Sequence, residues 1–185
     1  MSRFNPTIIN PTISIRPERK EDIEGIHKVN RLAFGVEDEA QIIKRLRQSS
    51  KFIPELSLLA IKKGQIVGHI LFNLITIESQ QGDISALSLA PMAVHPEFQS
   101  QGIGSELVRE GLNRCQKLGH KIVVVVGHPG YYPRFGFVSA REKGLETHFP
   151  VPDEAFMVKE LIPDALKGIK GIVKYPSEFD GITEE

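Results

Sequence analysis

Apolar positions along the chain switch between a two-residue and a three-to-four-residue period, and the switches predict a mixed α/β element order. Ile13-Ser14-Ile15 predicts a short strand that ends at Arg16-Pro17. From Asp22 onward, Ile23, Ile26, Val29 and Phe34 keep helical spacing, with acidic residues at the start where the helix dipole favours them. After Gly35, Ala40, Ile43 and Leu46 recur at three-residue steps while Lys44, Arg45 and Arg47 face elsewhere, which predicts a second helix. Residues 56–61 read as a strand closed by the turn Lys62-Lys63-Gly64-Gln65, and residues 66–75 read as its antiparallel partner, interrupted by Gly68. Gln80-Gln81-Gly82-Asp83 makes the next turn. Residues 84–94 are almost all apolar or small, as expected of a central strand buried on both faces. Pro91 lies inside that strand and cannot donate a ladder hydrogen bond, so it predicts a bulge or a local parting from the neighbouring strand.

The second half of the chain follows a strand, helix, strand order. Ile103, Leu107, Val108, Gly111, Leu112, Cys115 and Leu118 mark one face of a helix. Glu106, Arg109, Glu110, Arg114 and Lys117 mark the other, and Gly119 stops it. Residues 121–126 are nearly pure valine and isoleucine, the pattern of a central parallel strand reached by a crossover helix. An aromatic loop follows at 127–137, then a surface loop at 141–153 and a late strand at 156–161. The expected organisation is one α/β domain over residues 1–185, with its core at about 13–161 and a C-terminal extension at 162–185; no internal repeat or low-complexity segment interrupts it.

Composition narrows the function classes. Lysine plus arginine and aspartate plus glutamate each number 23, so no global field favours nucleic acid or an anionic membrane as partner. Locally, residues 99–144 carry four more basic than acidic side chains, and the segment from Pro152 carries four more acidic than basic. The single Cys115 excludes an intramolecular disulfide and a multi-cysteine metal site, and its place on the apolar helix face predicts a buried structural thiol. No apolar run reaches the roughly 20 residues that span a bilayer, and the polar start holds no signal-like core; a cytoplasmic protein is expected.

The chemistry concentrates at Gln99-Ser100-Gln101-Gly102-Ile103-Gly104-Ser105, where strand gives way to helix. Such a turn presents backbone N–H groups at the positive end of a helix dipole, and its glycines let a ligand approach the backbone, so it predicts a pyrophosphate cradle. A P-loop would need lysine after the last glycine, where Ser105 stands. A dinucleotide fingerprint would need a third glycine, where Leu107 stands.

The remaining pattern is a strand ending in Val-x-Pro, then Gln or Arg, two residues, Gly, one residue, Gly or Ala, and a helix. It resembles the coenzyme A motif of the GNAT N-acetyltransferase superfamily, here Met92-Ala93-Val94-His95-Pro96-Glu97-Phe98 running into Gln99. A second signature agrees: Tyr132 stands four residues before Gly136-Phe137, and the loop from Gly127 to Phe137 looks like the YhbS-like branch of that superfamily.

The resemblance implies a GNAT-like fold, a mixed central sheet flanked by helices with a strand splay that admits acetyl-CoA. It implies that backbone groups of Met92, Ala93 and Val94 pair with the pantetheine arm and that one of those amides polarises the thioester carbonyl. Gln99, Ser100, Gln101, Gly102, Ile103, Gly104 and Ser105 would hold the pyrophosphate, and Tyr132 would protonate the departing thiolate. The implied reaction is direct attack on acetyl-CoA by a primary amine of a small molecule or protein, with no metal. A non-catalytic acyl-CoA-binding module is the alternative, against which the retained Tyr132 and intact turn argue. His95 and His128 flank the site without an assigned role, and the general base is open. Selectivity for the acceptor would come from residues 34–47 and 141–153, and exposed sheet edges near the C terminus permit a homodimer.

Overall fold

The computed structural model describes residues 7–10 and 12–180, which fall into two compact units. One takes the chain to Phe72 together with Ala90–Arg114; the other takes Asn73–Leu89 together with the chain from Cys115. Among the described residues no helix is long and apolar enough to cross a membrane.

In the first unit the strands β1 (Thr7–Asn10), β2 (Ile13–Pro17), β3 (Phe52–Lys62), β4 (Gln65–Ser79, to Phe72) and β5 (Gly82–Val94, from Ala90) lie in that order. β2 runs antiparallel to β1 and to β3, with Ile15 opposite Ala60. Helices α1 (Ile23–Phe34) and α2 (Asp38–Arg47) form where the three-to-four-residue periods predict them. Ile26, Val29, Ala40, Ile43 and Leu46 are buried as expected, but Ile23 and Phe34, at the two ends of α1, stay about 40% exposed. Gly68 does not interrupt β4. A Cβ there would stand 2.9 Å from Leu107 Cδ1 and 3.2 Å from Ile103 Cγ2, so the missing side chain is what lets helix α3 (Ile103–Lys117) lie close on the strand.

Glu110 and Arg114 depart from the expectation that they occupy the polar face of α3. Both are buried, and Arg114 Nε donates to Glu110 Oε1 at 2.7 Å. The reason is angular: at about 100° per residue they fall within about 20° of Ile103, inside the apolar arc rather than opposite it. Pairing at i, i+4 is what allows two charges to occupy that arc.

A second buried polar group ties the helices to the sheet. Asn30 Nδ2 donates to Ile26 O at 2.9 Å and lies 3.1 Å from His69 Nδ1, so His69 Nδ1 accepts and its Nε2 carries the proton. That Nε2–H reaches Ser57 Oγ at 2.9 Å, and the Ser57 hydroxyl donates to Glu18, which also receives both Arg47 Nε at 2.7 Å and Arg47 Nη2 at 3.0 Å. The chain of bonds thus joins α1, β4, β3, the β2–α1 connection and α2 through one neutral imidazole.

Complete burial lowers the His69 pKa to about 3, with the Arg47 charge adding to the shift. The folded state therefore resists a proton that the unfolded chain accepts near 6.5, so stability is complete above that value and falls as pH drops toward 3. Between pH 7.5 and 4.5 this residue should remove about 2.5 kcal/mol of unfolding free energy. Urea unfolding across that range, compared with His69→Gln, measures it: the variant's acid slope should be shallower, and equal slopes would show that His69 does not carry the effect.

In the second unit, β10 (Gly171–Lys174) runs antiparallel to the end of β4, with Val173 opposite Ile77, and parallel to β8 (Leu145–Thr147). On the other side, β5 lies parallel to β6 (Ile122–Val126), as the βαβ pattern predicts. β9 (Phe156–Glu160) follows antiparallel to β6, and β7 (Val138–Ser139) antiparallel to β9. The core packs Ile75, Ile77, Ile122, Val124, Phe156 and Val158 among its members. The short strands β8 and β10 fall in segments whose sequence pattern reads as loop or extension, and β7 lies between the two loops read at 127–137 and 141–153.

The β5–β6 ladder consists of Leu87↔Val123 and Ser88↔Val124. β6 nevertheless continues against β9 as far as Val126↔Phe156. Within this unit the ladder between β5 and β6 therefore ends at Ser88 while β6 runs on against β9; the Ala90–Pro91 peptide is cis.

Candidate active site

The turn between β5 and α3 is built from the strand end outward. His95 N–H donates to Val67 O at 2.8 Å, which anchors the end of β5 to β4. His95 Nδ1 accepts the Glu97 N–H at 3.2 Å and caps a single 3-10 turn, Pro96–Phe98. The ring nitrogen that could have served as a proton acceptor is therefore occupied in holding the loop. Gln99 Nε2 donates back to Val94 O at 3.1 Å, and Gln101 Nε2 reaches Glu97 O at 3.4 Å. Both glutamine side chains thus brace the turn through its own backbone.

That backbone is turned outward by two residues of positive φ, Ser100 at 61° and Gly102 at 84°. Gly102 O accepts the Glu106 N–H at 3.0 Å as an early rung of α3, and the amides of Gly102, Ile103 and Gly104 precede it at the helix's positive end. A Cβ on Gly102 would have no atom beyond its chain neighbours within 4 Å, so the space beside this residue is open. Gln99, Ser100, Gln101 and Gly102 are exposed, Gly104 and Ser105 half-buried, and Ile103 buried in the core. A turn at the start of a helix suits a phosphate or pyrophosphate. Upstream, Met92 and Val94 are half-buried and Ala93 buried.

In the second unit the aromatic loop forms another single 3-10 turn, Tyr132–Phe135. Tyr132 is buried, edge-on to Tyr131 at 5.1 Å and to Phe137 at 5.7 Å between ring centroids. Gly127 makes room for it, because a Cβ at that position would overlap the Tyr132 ring. Burial, with Tyr131 adding to it, pushes the Tyr132 hydroxyl well above the ordinary phenol value, so it holds its proton at neutral pH. Tyr131 is half-buried, and the Arg134 guanidinium lies 4.7 Å above its ring.

Cys115 is fully buried, and burial pushes its thiol up to about 12, which removes it as a nucleophile. Sequence reasoning passes over Lys62, whose ammonium reaches Gln101, and the His69 chain of bonds. The signal for the latter is present as His69, a polar residue inside the apolar middle of β4, and for the former only the fold brings Lys62 to Gln101.

Comparison with known proteins agrees with this architecture. A family model for the acetyltransferase (GNAT) domain matches residues 14–140. The uncharacterized N-acetyltransferase YjhQ of Escherichia coli strain K12 is 40% identical over 136 residues, 73% of this chain and 75% of YjhQ. The uncharacterized N-acetyltransferase YhbS of the same strain is 34% identical over 167 residues, 90% of this chain and 98% of YhbS. The crystal structure of the E. coli GNAT family N-acetyltransferase YhbS in complex with CoA superimposes with a TM-score of 0.83 at 32% identity, covering 96% of each chain. A Brucella melitensis GNAT family acetyltransferase in complex with acetyl-CoA gives 0.75 at 31% identity, covering 91% of this chain and 98% of that one. Matched by the family model over residues 14–140 and by relatives 40% and 34% identical over most of its length, the chain belongs to the GNAT family of acetyltransferases.

Proposed function

We propose that the protein transfers the acetyl group of acetyl-CoA to a primary amine by direct attack in a ternary complex. The observation that carries this reading is the turn at 99–105, where exposed Ser100 and Gly102 at positive φ lead into the start of α3 and the space beside Gly102 is open. Relatives of the same fold hold CoA and acetyl-CoA, which supports assigning that space to the coenzyme's pyrophosphate. The backbone of Met92, Ala93 and Val94, beyond the last rung to β6, would then pair with the pantetheine arm and present one N–H to the thioester oxygen.

The amine lone pair attacks the carbonyl carbon, the C–S bond breaks, and the nitrogen loses its extra proton to water. Tyr132 Oη donates a proton to the leaving thiolate and recovers one from solvent. Burial keeps the phenol protonated at neutral pH, so its proton is in place when the thiolate departs.

Free thiol released from acetyl-CoA, measured across a panel of small amines and amine-bearing peptides, tests the proposal. Release accelerated by at least one amine, with that amine acetylated, is the expected result. Tight coenzyme binding with no amine-dependent release would instead select a non-catalytic acyl-CoA-binding module.

A further inference from the structure

The strands β3 and β4 are joined by Lys63-Gly64, both at positive φ, 48° and 78°. This is a two-residue hairpin turn whose twist matches the flanking strands, so Lys62 is the last residue of a strand and not part of a loose loop. Lys63 is exposed, whereas Lys62 is half-buried and makes two specific contacts. Its Nζ donates to Gln101 Oε1 at 3.2 Å and stands 5.3 Å from the centroid of the Phe98 ring. Gln101 is held with its oxygen toward Lys62 because its Nε2 points to Glu97 O at 3.4 Å. Phe98 is held in turn by the edge-on His95 ring at 5.4 Å.

Both partners of the ammonium are neutral. They orient the charge without cancelling it, and among the described residues no carboxylate forms an ion pair with Lys62. An ammonium has three donors, of which Gln101 takes one. Beside the exposed turn 99–102 that leads into the start of α3, an oriented cation with neutral partners selects a phosphate. Resting on the acetyl-CoA reading above, we propose that Lys62 is an anion-binding residue for the phosphate groups of the coenzyme, delivered to the turn by the β3–β4 hairpin. The phosphates available are the pyrophosphate and the 3′-phosphate, which share this chemistry.

Calorimetric titration of wild type, Lys62→Met and Lys62→Arg with CoA at about 50 mM and about 300 mM salt provides the test. Lys62→Met keeps the stem but loses the charge, and its affinity should fall about tenfold at the lower salt and by less at the higher. Lys62→Arg should stay near wild type. In turnover, Lys62→Met should raise KM for acetyl-CoA far more than it lowers kcat. Repeating the titration with 3′-dephospho-CoA locates the contact: a deficit that persists assigns it to the pyrophosphate, and one that vanishes assigns it to the 3′-phosphate. A Lys62→Met protein that binds CoA like wild type overturns the proposal, as does a deficit equal at both salts, which would mean that Lys62 only braces the turn. If wild type itself fails to bind CoA, the acetyl-CoA reading fails and this proposal with it, a result distinct from the other two.

Discussion

Gly102→Val should reduce acetyl-CoA affinity at least about 100-fold while leaving the melting temperature within a few degrees of wild type. Two effects combine. Gly102 sits at φ 84°, where a β-branched residue is strained by about 1–2 kcal/mol, so the turn shifts toward a conformation that no longer presents its amides. The valine methyls would also occupy the open space beside Gly102, where the proposal places the coenzyme's pyrophosphate. Because the position is exposed and the space beside it is open, the core is untouched. Gly119→Val separates strain from ligand exclusion. Gly119 has φ 91° and equally open surroundings, but it lies at the far end of α3, and its substitution should leave affinity unchanged. Equilibrium binding together with thermal melts of both variants decides the matter; undiminished affinity in Gly102→Val would show that the turn holds no coenzyme.

Tyr132→Phe should lower kcat about 100-fold, roughly 2.7 kcal/mol of transition-state stabilisation, with little change in KM for acetyl-CoA. The phenyl ring preserves the edge-on packing against Tyr131 and Phe137, so the loss would report the hydroxyl and not the fold. Tyr131→Phe, at the half-buried ring beneath Arg134, should cost no more than a few-fold. The raised pKa of Tyr132 adds a pH signature: its proton is retained beyond the range where an ordinary tyrosine ionises, so wild-type kcat should show no alkaline decline near pH 10 from this residue. Steady-state kinetics of the three proteins, with the amine identified by thiol release, measure both effects. Full turnover in Tyr132→Phe would remove the acid assignment and leave water to protonate the thiolate.

The elements that a sequence pattern can specify are the ones it specified. The apolar periods locate α1, α2 and α3, the long strands β3, β4 and β5, and the parallel β6, because the helix and strand repeats are local properties of the residues in each element. The strands β7, β8 and β10 have two to four residues each. At that length no period is readable, and strand character comes from a partner: Ile172 lies between Glu78 and Glu146, both far earlier in the chain. For Glu110 and Arg114, charge suggests the polar face while the helical angle places them in the apolar arc, and the angle was legible in the chain.

The site divides along the same line. The chain alone carried the glycine turn, the strand preceding it and the Tyr132 spacing, since a positive φ and a helix start are encoded within a few residues. Tertiary structure decided which side chains those features meet. It brought Lys62 to Gln101 across 39 residues, seated Tyr132 against Gly127, and threaded His69 through Ser57, Asn30, Glu18 and Arg47. Such partnerships depend on strand register and on where α1 and α2 pack, which no local spacing contains; the backbone conformation of the turn is written in its residues, but its charge and its neighbours are set by the fold.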